Sequence, residues 1–254
     1  MQPILVAGPC MLEGPEVVQR CAWHLAAWRD AHPQVRVYFK GSFDKANRSS
    51  SKGTRGPGLE VGLALLDSVK QEFNLPVCTD VHETMQVAPV AAVCDVLQIP
   101  AFLSRQTDLI EAAARTGRIV NIKKGQFMDA AMATNAHAKA QAAGAVEIWL
   151  TERGTSFGYG DLVVDFRTSA LLLRQGLQVM YDATHSVQRP GARGDSSGGD
   201  RDLVLPLAAA ARAVGVRHLF AEFHPRPSEA LSDRETQCDF AMFDELVGSF
   251  FART

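Results

Sequence analysis

Short apolar runs and longer amphipathic stretches alternate along the chain. Most of the apolar runs are continuous rather than interrupted at every second position, which is typical of parallel strands covered on both faces. Eight runs predict eight strands: Ile4–Gly8, Val35–Gly41, Pro76–Val81, Val96–Pro100, Ile119–Lys124, Val146–Thr151, Val179–Ala183 and His218–Glu222.

The segments between these runs have apolar residues at the three- and four-residue spacing of helices. In the first of them Leu25 and Trp28 continue such a stripe, and Pro15 suits a first helical turn. The predicted helices are Pro15–Ala31, Leu59–Phe73, Thr84–Val93, Thr107–Thr116, Asn135–Ala143, Phe166–Gln175, Asp202–Val214 and Phe240–Phe251. Glycines that favour a left-handed helix cap follow four of them: Gly117, Gly144, Gly176 and Gly215.

Eight strand–helix units in 254 residues predict an α/β fold, a single-domain (β/α)8 TIM barrel over residues 1–254. An open doubly wound sheet is the alternative, but its glycine-rich phosphate motif is missing, because Gly8 is followed by Pro9 and Cys10. Two long polar loops, Ser42–Pro57 and Ser186–Arg201, interrupt the pattern. Loops of this length in a compact domain are often functional.

Composition and charge exclude several classes of protein. Hydrophobic residues make up 46% and charged residues 21%, which supports a buried core. A net charge of −2 argues against a uniformly basic nucleic-acid binder. No apolar run approaches the length of a membrane helix, and the first residues lack the charges of a secretory signal. Five cysteines without a C-x-x-C pair indicate a reducing compartment, which we expect to be the cytoplasm.

The predicted strands end in polar residues. In a TIM barrel the carboxyl ends of the strands meet at one face, where the chemistry lies. We expect that face to hold Cys10, Lys40, Asp80, His82, Gln98, Lys123, Lys124, Glu152, Arg153, Asp182, His185, Glu222 and His224.

Four cations belong to this predicted face: Lys40, Lys45, Lys123 and Arg153. They would repel one another unless an anion neutralised them. A phosphorylated, carboxylated substrate would do so, with a bidentate grip from Arg153. The alternative is solvated cations paired with acidic neighbours, namely Asp44, Asp80 or Glu152.

A second group combines a thiol, an imidazole and carboxylates: Cys10, His185, Glu222 and Asp233. These are ligands for a divalent ion such as Zn²⁺ or Fe²⁺. Their separation along the chain leaves open whether they meet. His224 competes as a ligand, and a buried apolar Cys10 beside an incidental His185 is the alternative.

Several segments together resemble the 3-deoxy-D-manno-octulosonate 8-phosphate synthase family. They are AGPC at 7–10, FKGSFDKANRSS at 39–50, TDVHE at 79–83, QIPAFLSRQTDL at 98–109, NIKKGQF at 121–127, LTERGTSFGYGDLVVDFR at 150–167, YDATHSVQRPG at 181–191 and EFHPRP at 222–227. The KANRS stretch discriminates, because the related 3-deoxy-arabino-heptulosonate 7-phosphate synthases carry a KPRTS-like stretch there.

The resemblance implies a (β/α)8 barrel, usually a homotetramer, that condenses phosphoenolpyruvate with arabinose 5-phosphate and releases phosphate. C3 of phosphoenolpyruvate attacks the aldehyde carbon, water attacks C2, and the tetrahedral intermediate loses phosphate by C–O cleavage. The product is the eight-carbon sugar acid phosphate of lipopolysaccharide synthesis.

The resemblance also implies roles for the cations. Lys123 and Arg153 match residues that hold the phosphoenolpyruvate phosphate. Lys45 matches a residue near its carboxylate, with Lys40 close by.

The remaining matches concern arabinose 5-phosphate and the lining of the site. Asn47, Arg48 and Ser49 match residues that grip the sugar phosphate, the last two across a subunit interface. Polar residues that line the site are matched by Asp80, His82 and Gln98, and His82 is expected to orient the water. The expected catalytic residues are His82, Asp80, Lys45 and Cys10.

Metal dependence follows the residue after Gly-Pro in the first strand motif. Cysteine there marks the metal-dependent members of the family and asparagine the others, so Cys10 implies one divalent ion, Fe²⁺, Zn²⁺, Mn²⁺ or Co²⁺. The implied ligands are Cys10, His185, Glu222 and Asp233. Three departures from the family pattern are Gly14 in place of a serine, GDSSGG at 194–199 without a lysine, and RETQCDF after Asp233.

Three other functions stay open on the sequence. One is the sister condensation with erythrose 4-phosphate. Another is a Schiff-base aldolase that uses Lys123 or Lys124. The third is a barrel that binds sugar phosphates without turning them over.

Overall fold

Strands and helices alternate through residues 2–46, 54–190 and 198–252, which are the residues that the structure, a computed structural model, describes. The strands are β1 (Ile4–Gly8), β2 (Arg36–Lys40), β3 (Val77–Asp80), β4 (Val96–Ile99), β5 (Ile119–Lys123), β6 (Ile148–Glu152), β7 (Thr155–Phe157), β8 (Asp161–Val163), β9 (Gln178–Asp182), β10 (Gln188–Arg189), β11 (Gly198–Gly199) and β12 (His218–Glu222).

Eight of these strands form a closed parallel barrel in the order β1-β12-β9-β6-β5-β4-β3-β2. Strand β1 closes the ring, because Ile4 pairs with His218 of β12 on one side and with Arg36 of β2 on the other. The barrel strands are the eight predicted ones, with ends that differ by one or two residues. The predicted (β/α)8 barrel is therefore confirmed.

The α-helices in the described residues are α1 (Pro15–Ala31), α2 (Leu59–Phe73), α3 (Thr84–Val93), α4 (Thr107–Ala114), α5 (Ala130–Ala142), α6 (Phe166–Arg174), α7 (Val204–Ala213) and α8 (Phe240–Phe251). The predicted start of α5, at Asn135, is wrong by five residues. The carboxylate of Asp129 accepts a hydrogen bond from the backbone N–H of Met132 and so starts the helix earlier.

Two short antiparallel hairpins were not predicted. Strands β7 and β8 pair directly after β6, and β10 pairs with β11 after β9. Each of these strands has only two or three residues, too few to show a period-two pattern. Both hairpins stand at the carboxyl ends of barrel strands.

The barrel interior is apolar in the half nearer the amino ends of the strands and polar in the half nearer their carboxyl ends. Successive strand residues point to opposite sides of the wall, so every second residue faces the interior. The apolar layer consists of Ile4, Val6, Tyr38, Cys78, Val96, Trp149, Met180 and Phe220, with Ile119 packed against it. A larger apolar core fills the space between the strands and the helices.

A charged cluster closes the amino ends of the strands. The guanidinium of Arg36 donates to both carboxylate oxygens of Glu147, at 2.8 and 3.0 Å, and the indole N–H of Trp149 donates to Glu147 at 2.8 Å. The buried His218 imidazole lies in the same region, and burial lowers its pKa to about 4. This cluster forms the floor of the barrel.

Within the described residues, no helix is both long and apolar enough to span a membrane. All five cysteines are buried and none forms a disulfide in the described part of the chain.

Candidate active site

A cavity of about 90 Å³ opens at the carboxyl ends of the barrel strands, and we call this end the mouth. Nine of the predicted site residues line it: Lys40, Lys45, Asp80, His82, Gln98, Lys123, Arg153, Asp182 and His185. A larger cavity, of about 810 Å³, lies by the amino ends of β1 and β12 and holds none of the predicted site residues. The polar mouth is therefore the candidate active site.

Lys40, at the end of β2, contacts both Glu222 and Cys10. Its Nζ donates to Glu222 Oε1 at 2.6 Å and to the carbonyl oxygen of Cys10 at 3.1 Å. Burial lowers the pKa of Lys40, but the attraction of Glu222, together with smaller contributions from Asp80 and Cys10, outweighs it, so the pKa is raised overall. Gly8 is required beside this lysine, because a Cβ there would collide with the Lys40 carbonyl oxygen.

Lys123 lies deeper in the mouth. It forms an ion pair with Asp182, and its Nζ lies 3.1 Å from the centre of the Phe220 ring. Burial lowers the pKa of Lys123 more than Asp182 raises it. An anionic ligand would stabilise this desolvated ammonium.

Arg153, just after β6, is buried and incompletely paired. Its Nη2 donates to Gln188 Oε1 at 2.9 Å. Its Nη1 is buried and has no hydrogen-bond partner among the described residues. Burial lowers the pKa of Arg153. An unpartnered guanidinium nitrogen beside Lys123 is the arrangement expected of a phosphate or carboxylate site.

Asp80, at the end of β3, is held as an anion. It accepts hydrogen bonds from Ser42 Oγ and, at 2.6 Å, from Gln98 Nε2. Burial raises the pKa of Asp80, but Lys40 and Lys45 outweigh it and hold the pKa well below its usual range.

His82 follows β3 at the rim of the cavity. Its ring packs edge-on against Phe43, with 5.8 Å between the ring centres. Its Nδ1 is buried without a hydrogen-bond partner among the described residues. The described residues therefore leave the hydrogen-bonding capacity of Nδ1 unused.

The predicted metal ligands meet at the side of the mouth. Ligand atoms of Cys10, Glu222 and Asp233 lie within 4.8 Å of one another. Cys10 Sγ is 2.9 Å from Asp233 Oδ2, and His185 Nε2 is 3.5 Å from Glu222 Oε2 and 3.8 Å from Asp233 Oδ2. Residues separated by more than 220 positions in sequence are thus adjacent.

The donor set of this cluster fits a divalent cation. Glu222 Oε2 is buried and accepts no hydrogen bond from the described residues. Burial, Asp233 and Glu222 together raise the pKa of the Cys10 thiol well above its usual range. A cation would supply the positive charge that a thiolate and two carboxylates need at such short range.

Asp233 has a left-handed backbone, with φ of 48°. Outside glycine this conformation is uncommon and recurs at functional sites. Gln237 fixes the turn, because its Oε1 accepts the backbone N–H of Cys10 at 3.1 Å and its Nε2 donates to the Ser232 carbonyl at 2.8 Å. The RETQ continuation therefore brings Asp233 to Cys10.

The chain matches one protein family and several relatives that share a name. The profile of the DAHP synthetase I family matches residues 1–249. Over 241 residues the chain is 52% identical to a 2-dehydro-3-deoxyphosphooctonate aldolase of Wolinella succinogenes, with 91% of each chain covered. Proteins of the same name from Campylobacter jejuni and Syntrophotalea carbinolica are 50% and 52% identical, over 97% and 90% of this chain and 94% and 82% of theirs. The chain belongs to the DAHP synthetase I family.

Two of the polar residues that were predicted to lie in the mouth lie elsewhere. Lys124 and Glu152 alternate with Lys123 and Arg153 and lie on the outer side of the barrel wall, so their predicted place in the mouth is wrong. Lys124 Nζ is 3.4 Å from Glu152 Oε1 and donates to Thr155 Oγ1 at 3.0 Å.

His224 also lies away from the metal cluster. Its Nε2 is 3.6 Å from Glu13 Oε2, and its Nδ1 accepts the backbone N–H of Arg226 at 3.0 Å. Both ring nitrogens therefore face other groups, which argues against His224 as a metal ligand. The predicted sugar-phosphate residues Asn47, Arg48 and Ser49 lie outside the described residues, as do residues 194–197 of the GDSSGG segment.

Sequence reasoning missed three residues that organise the site. Ser42 bridges Asp80 and Lys45, whose Nζ donates to Ser42 Oγ at 3.2 Å. Gln188 joins Arg153 to Asp233, donating to Asp233 Oδ1 at 2.8 Å. Gln237 is the third. All three occur within or next to the quoted motifs, but neutral side chains carried no chemical signal of their own.

Proposed function

We propose that the mouth condenses phosphoenolpyruvate with D-arabinose 5-phosphate and water to give 3-deoxy-D-manno-octulosonate 8-phosphate and phosphate, a step of lipopolysaccharide synthesis. The observation that carries this proposal is the pair of desolvated cations, Lys123 and the half-paired Arg153, beside a thiol–carboxylate cluster. The names of the relatives, 2-dehydro-3-deoxyphosphooctonate aldolases, support the same reaction.

Phosphoenolpyruvate binds with its phosphate on Lys123 and Arg153 and its carboxylate near Lys45 and Lys40. The Nη1 of Arg153, which has no partner within the described part of the chain, points to a charge-assisted hydrogen bond with the phosphate. The Lys45 pKa is raised, since burial lowers it less than Cys10 and nearby carboxylates raise it. Lys45 is therefore a full positive charge at the substrate.

The reaction forms one C–C bond, forms one C–O bond and breaks another. C3 of phosphoenolpyruvate attacks the aldehyde carbon of arabinose 5-phosphate, water adds to C2, and the bond from C2 to the phosphate oxygen breaks. We assign His82 and Asp80 to hold the water and its proton. The support is the Nδ1 of His82, which has no partner among the described residues, and the ionised Asp80 carboxylate.

Arabinose 5-phosphate is assigned to Asn47, Arg48 and Ser49, together with Gln98. The guanidinium of Arg48 provides a bidentate partner for the terminal phosphate. These three residues belong to the KANRS stretch at 45–49, where the resemblance separates this chain from the erythrose 4-phosphate enzymes with their KPRTS-like stretch.

Cys10, His185, Glu222 and Asp233 would hold one divalent ion, Fe²⁺, Zn²⁺, Mn²⁺ or Co²⁺. Such an ion supplies Lewis-acid stabilisation of charge on an oxygen atom. The buried Glu222 Oε2, which accepts no hydrogen bond from the described residues, and the short distance between Cys10 and Asp233 support this assignment. Cys10 is thereby counted among the catalytic residues.

We also propose a homotetramer in the cytoplasm. Phe102 lines the mouth yet is 54% exposed, so a neighbouring subunit that covers it would complete the rim of the cavity. Light scattering at micromolar protein concentration measures the subunit number. A monomer with full activity would contradict the proposed assembly.

The function is tested by phosphate release from phosphoenolpyruvate with each aldose phosphate in turn. We expect rapid release with arabinose 5-phosphate, little with erythrose 4-phosphate, and loss of activity in excess chelator that Mn²⁺, Fe²⁺, Co²⁺ or Zn²⁺ restores. Borohydride trapping of substrate on the protein would instead indicate a Schiff-base aldolase.

A further inference from the structure

A row of buried hydrogen bonds crosses four neighbouring barrel strands at the base of the mouth. Thr151 Oγ1 donates to Asn121 Oδ1 at 2.6 Å, and Asn121 Nδ2 donates to Gln98 Oε1 at 2.8 Å. Gln98 Nε2 then donates to Asp80 Oδ1 at 2.6 Å. All four side chains are buried, at 8% exposure or less.

The chemistry of Asp80 fixes the direction of the whole row. An ionised carboxylate only accepts hydrogen bonds, so Gln98 must turn its NH₂ group towards it. The Gln98 oxygen then needs a donor, which the NH₂ group of Asn121 supplies. Asn121 in turn leaves its oxygen to accept from the Thr151 hydroxyl. In the reversed arrangement, the Gln98 oxygen would face the carboxylate.

An amide at position 121 is unexpected on packing grounds. Asn121 faces the barrel interior directly above the apolar layer, where Trp149 is its partner on β6 and Ile119 lies below it on β5. Burying an amide there costs free energy unless all its groups are hydrogen-bonded. The row gives the oxygen and one N–H of the Asn121 amide a partner and ties Asn121 to Gln98.

The orientation of Gln98 matters for the ligand. The amide has two N–H groups, and Asp80 takes one, which leaves the other for the cavity that Gln98 lines with Lys123 and Arg153. In the proposed function this cavity receives two anionic substrates. A flipped amide would present an acceptor to them.

We propose that Asn121 is a positioning residue that determines which end of the Gln98 amide faces Asp80 and the anionic substrates. This inference rests on the proposed function, and in it Asn121 acts through Gln98 alone. It makes the Asn of the NIKKGQF segment part of substrate recognition, although Asn121 is fully buried.

The first test is Asn121→Asp, which keeps the shape of the side chain and replaces its donor with an acceptor. Gln98 would then lie between two carboxylates. We expect kcat/KM for phosphoenolpyruvate to fall about 100-fold, mainly through KM, as for a lost binding contact. The matched control is Asn135→Asp on the exposed surface of α5, which adds the same charge and should leave kcat/KM unchanged.

A double-mutant cycle with Gln98→Ala separates positioning from a general structural effect. If Asn121 acts through Gln98, Asn121→Asp changes kcat/KM less than about threefold once Gln98 is alanine. An equal loss in both backgrounds, or no loss in the parent background, overturns the inference.

Asn121→Ala keeps the test valid if the aspartate variant does not fold. It removes the donor without adding a charge, and we expect about a tenfold loss in kcat/KM that again disappears with Gln98→Ala. The activity of the unmodified enzyme tests the proposed function separately. A parent that releases no phosphate contradicts the function, whereas an active parent with an additive cycle contradicts only the role of Asn121.

Discussion

At Arg153 the two terminal guanidinium nitrogens have different surroundings, since Nη2 donates to Gln188 and Nη1 has no partner among the described residues. Arg153→Lys keeps the charge and loses the planar fork. We expect KM for phosphoenolpyruvate to rise 10- to 100-fold, from the loss of about 1.5–3 kcal/mol of charge-assisted hydrogen bonding. Steady-state kinetics measure this, with the exposed Arg167→Lys as control. An unchanged KM would contradict the bidentate grip.

Cys10 tests the metal cluster by metal content. Cys10→Ala removes the thiol from the cluster with Glu222 and Asp233, so the purified variant should contain no bound divalent ion and have no activity. Cys10→Asn should bind metal weakly and keep some activity that chelator does not remove. Elemental analysis checks both, and Cys94→Ala, which alters another buried thiol, is the control. A metal-free parent enzyme at full rate in chelator would contradict the assignment.

The structure brings together several residues that charge or metal chemistry singled out in the sequence. Cys10, His185, Glu222 and Asp233 meet as expected, although only the family resemblance suggested that they would. The errors at Lys124 and Glu152 have a simple cause, since two consecutive polar residues at a strand end point to opposite sides of the barrel wall. Which of the two faces the mouth depends on register.

At the scale of elements, Lys124 joins the loop after β5 to the β7–β8 hairpin. Its Nζ donates to carbonyl oxygens of Gly125, Met128 and Gly154, at 3.3–3.4 Å, and pairs with the buried Glu152. Lys124→Met leaves this carboxylate without its cation. Removing one partner of a buried ion pair costs about 3 kcal/mol. We therefore expect the free energy of unfolding, measured in urea, to be lower by that amount in the variant.

The control for this prediction is Lys139→Met. Lys139 donates to Arg105 O and Thr107 Oγ1 at the helix surface, so its loss should cost about 0.5 kcal/mol. Equal stability of Lys124→Met and the parent would show that Lys124 does not hold the hairpin in place.

Helices α1, α2, α3 and α8 were predicted to the residue. Helix α5 was predicted short because its first turn, after Ala130, is rich in alanine and shows no stripe. The hairpins were missed because strands of two or three residues have no detectable period.

At the scale of the whole molecule, His218 in the barrel floor makes stability depend on pH. Burial lowers its pKa to about 4, against about 6.5 in the unfolded chain, so the unfolded state binds the proton first as pH falls. The contribution of the neutral His218 to the free energy of unfolding is complete above pH 6.5 and is lost as the pH falls towards 4.

We therefore expect the free energy of unfolding to drop by about 2 kcal/mol between pH 6.5 and 4.5, at 1.36 kcal/mol per pKa unit, because this interval ends above the folded-state pKa of about 4. His218→Asn should have a smaller drop over the same interval. Urea titrations at several pH values compare the two proteins. Parallel curves for parent and variant would contradict the role of His218.

The barrel as a whole followed from the sequence because eight buried strands and eight helices leave few ways to cover both faces of a parallel sheet. The arrangement of the mouth did not, since it depends on contacts such as Gln188 to Asp233 between distant loops. Composition and periodicity carry no information on such pairs.

We propose that this mouth joins phosphoenolpyruvate to arabinose 5-phosphate. The most direct test gives the enzyme phosphoenolpyruvate with equal concentrations of arabinose 5-phosphate and erythrose 4-phosphate and identifies the products by mass spectrometry. We predict the eight-carbon sugar acid phosphate as the dominant product, formed with one phosphate released per molecule. A dominant seven-carbon product, or no condensation product, would contradict the account.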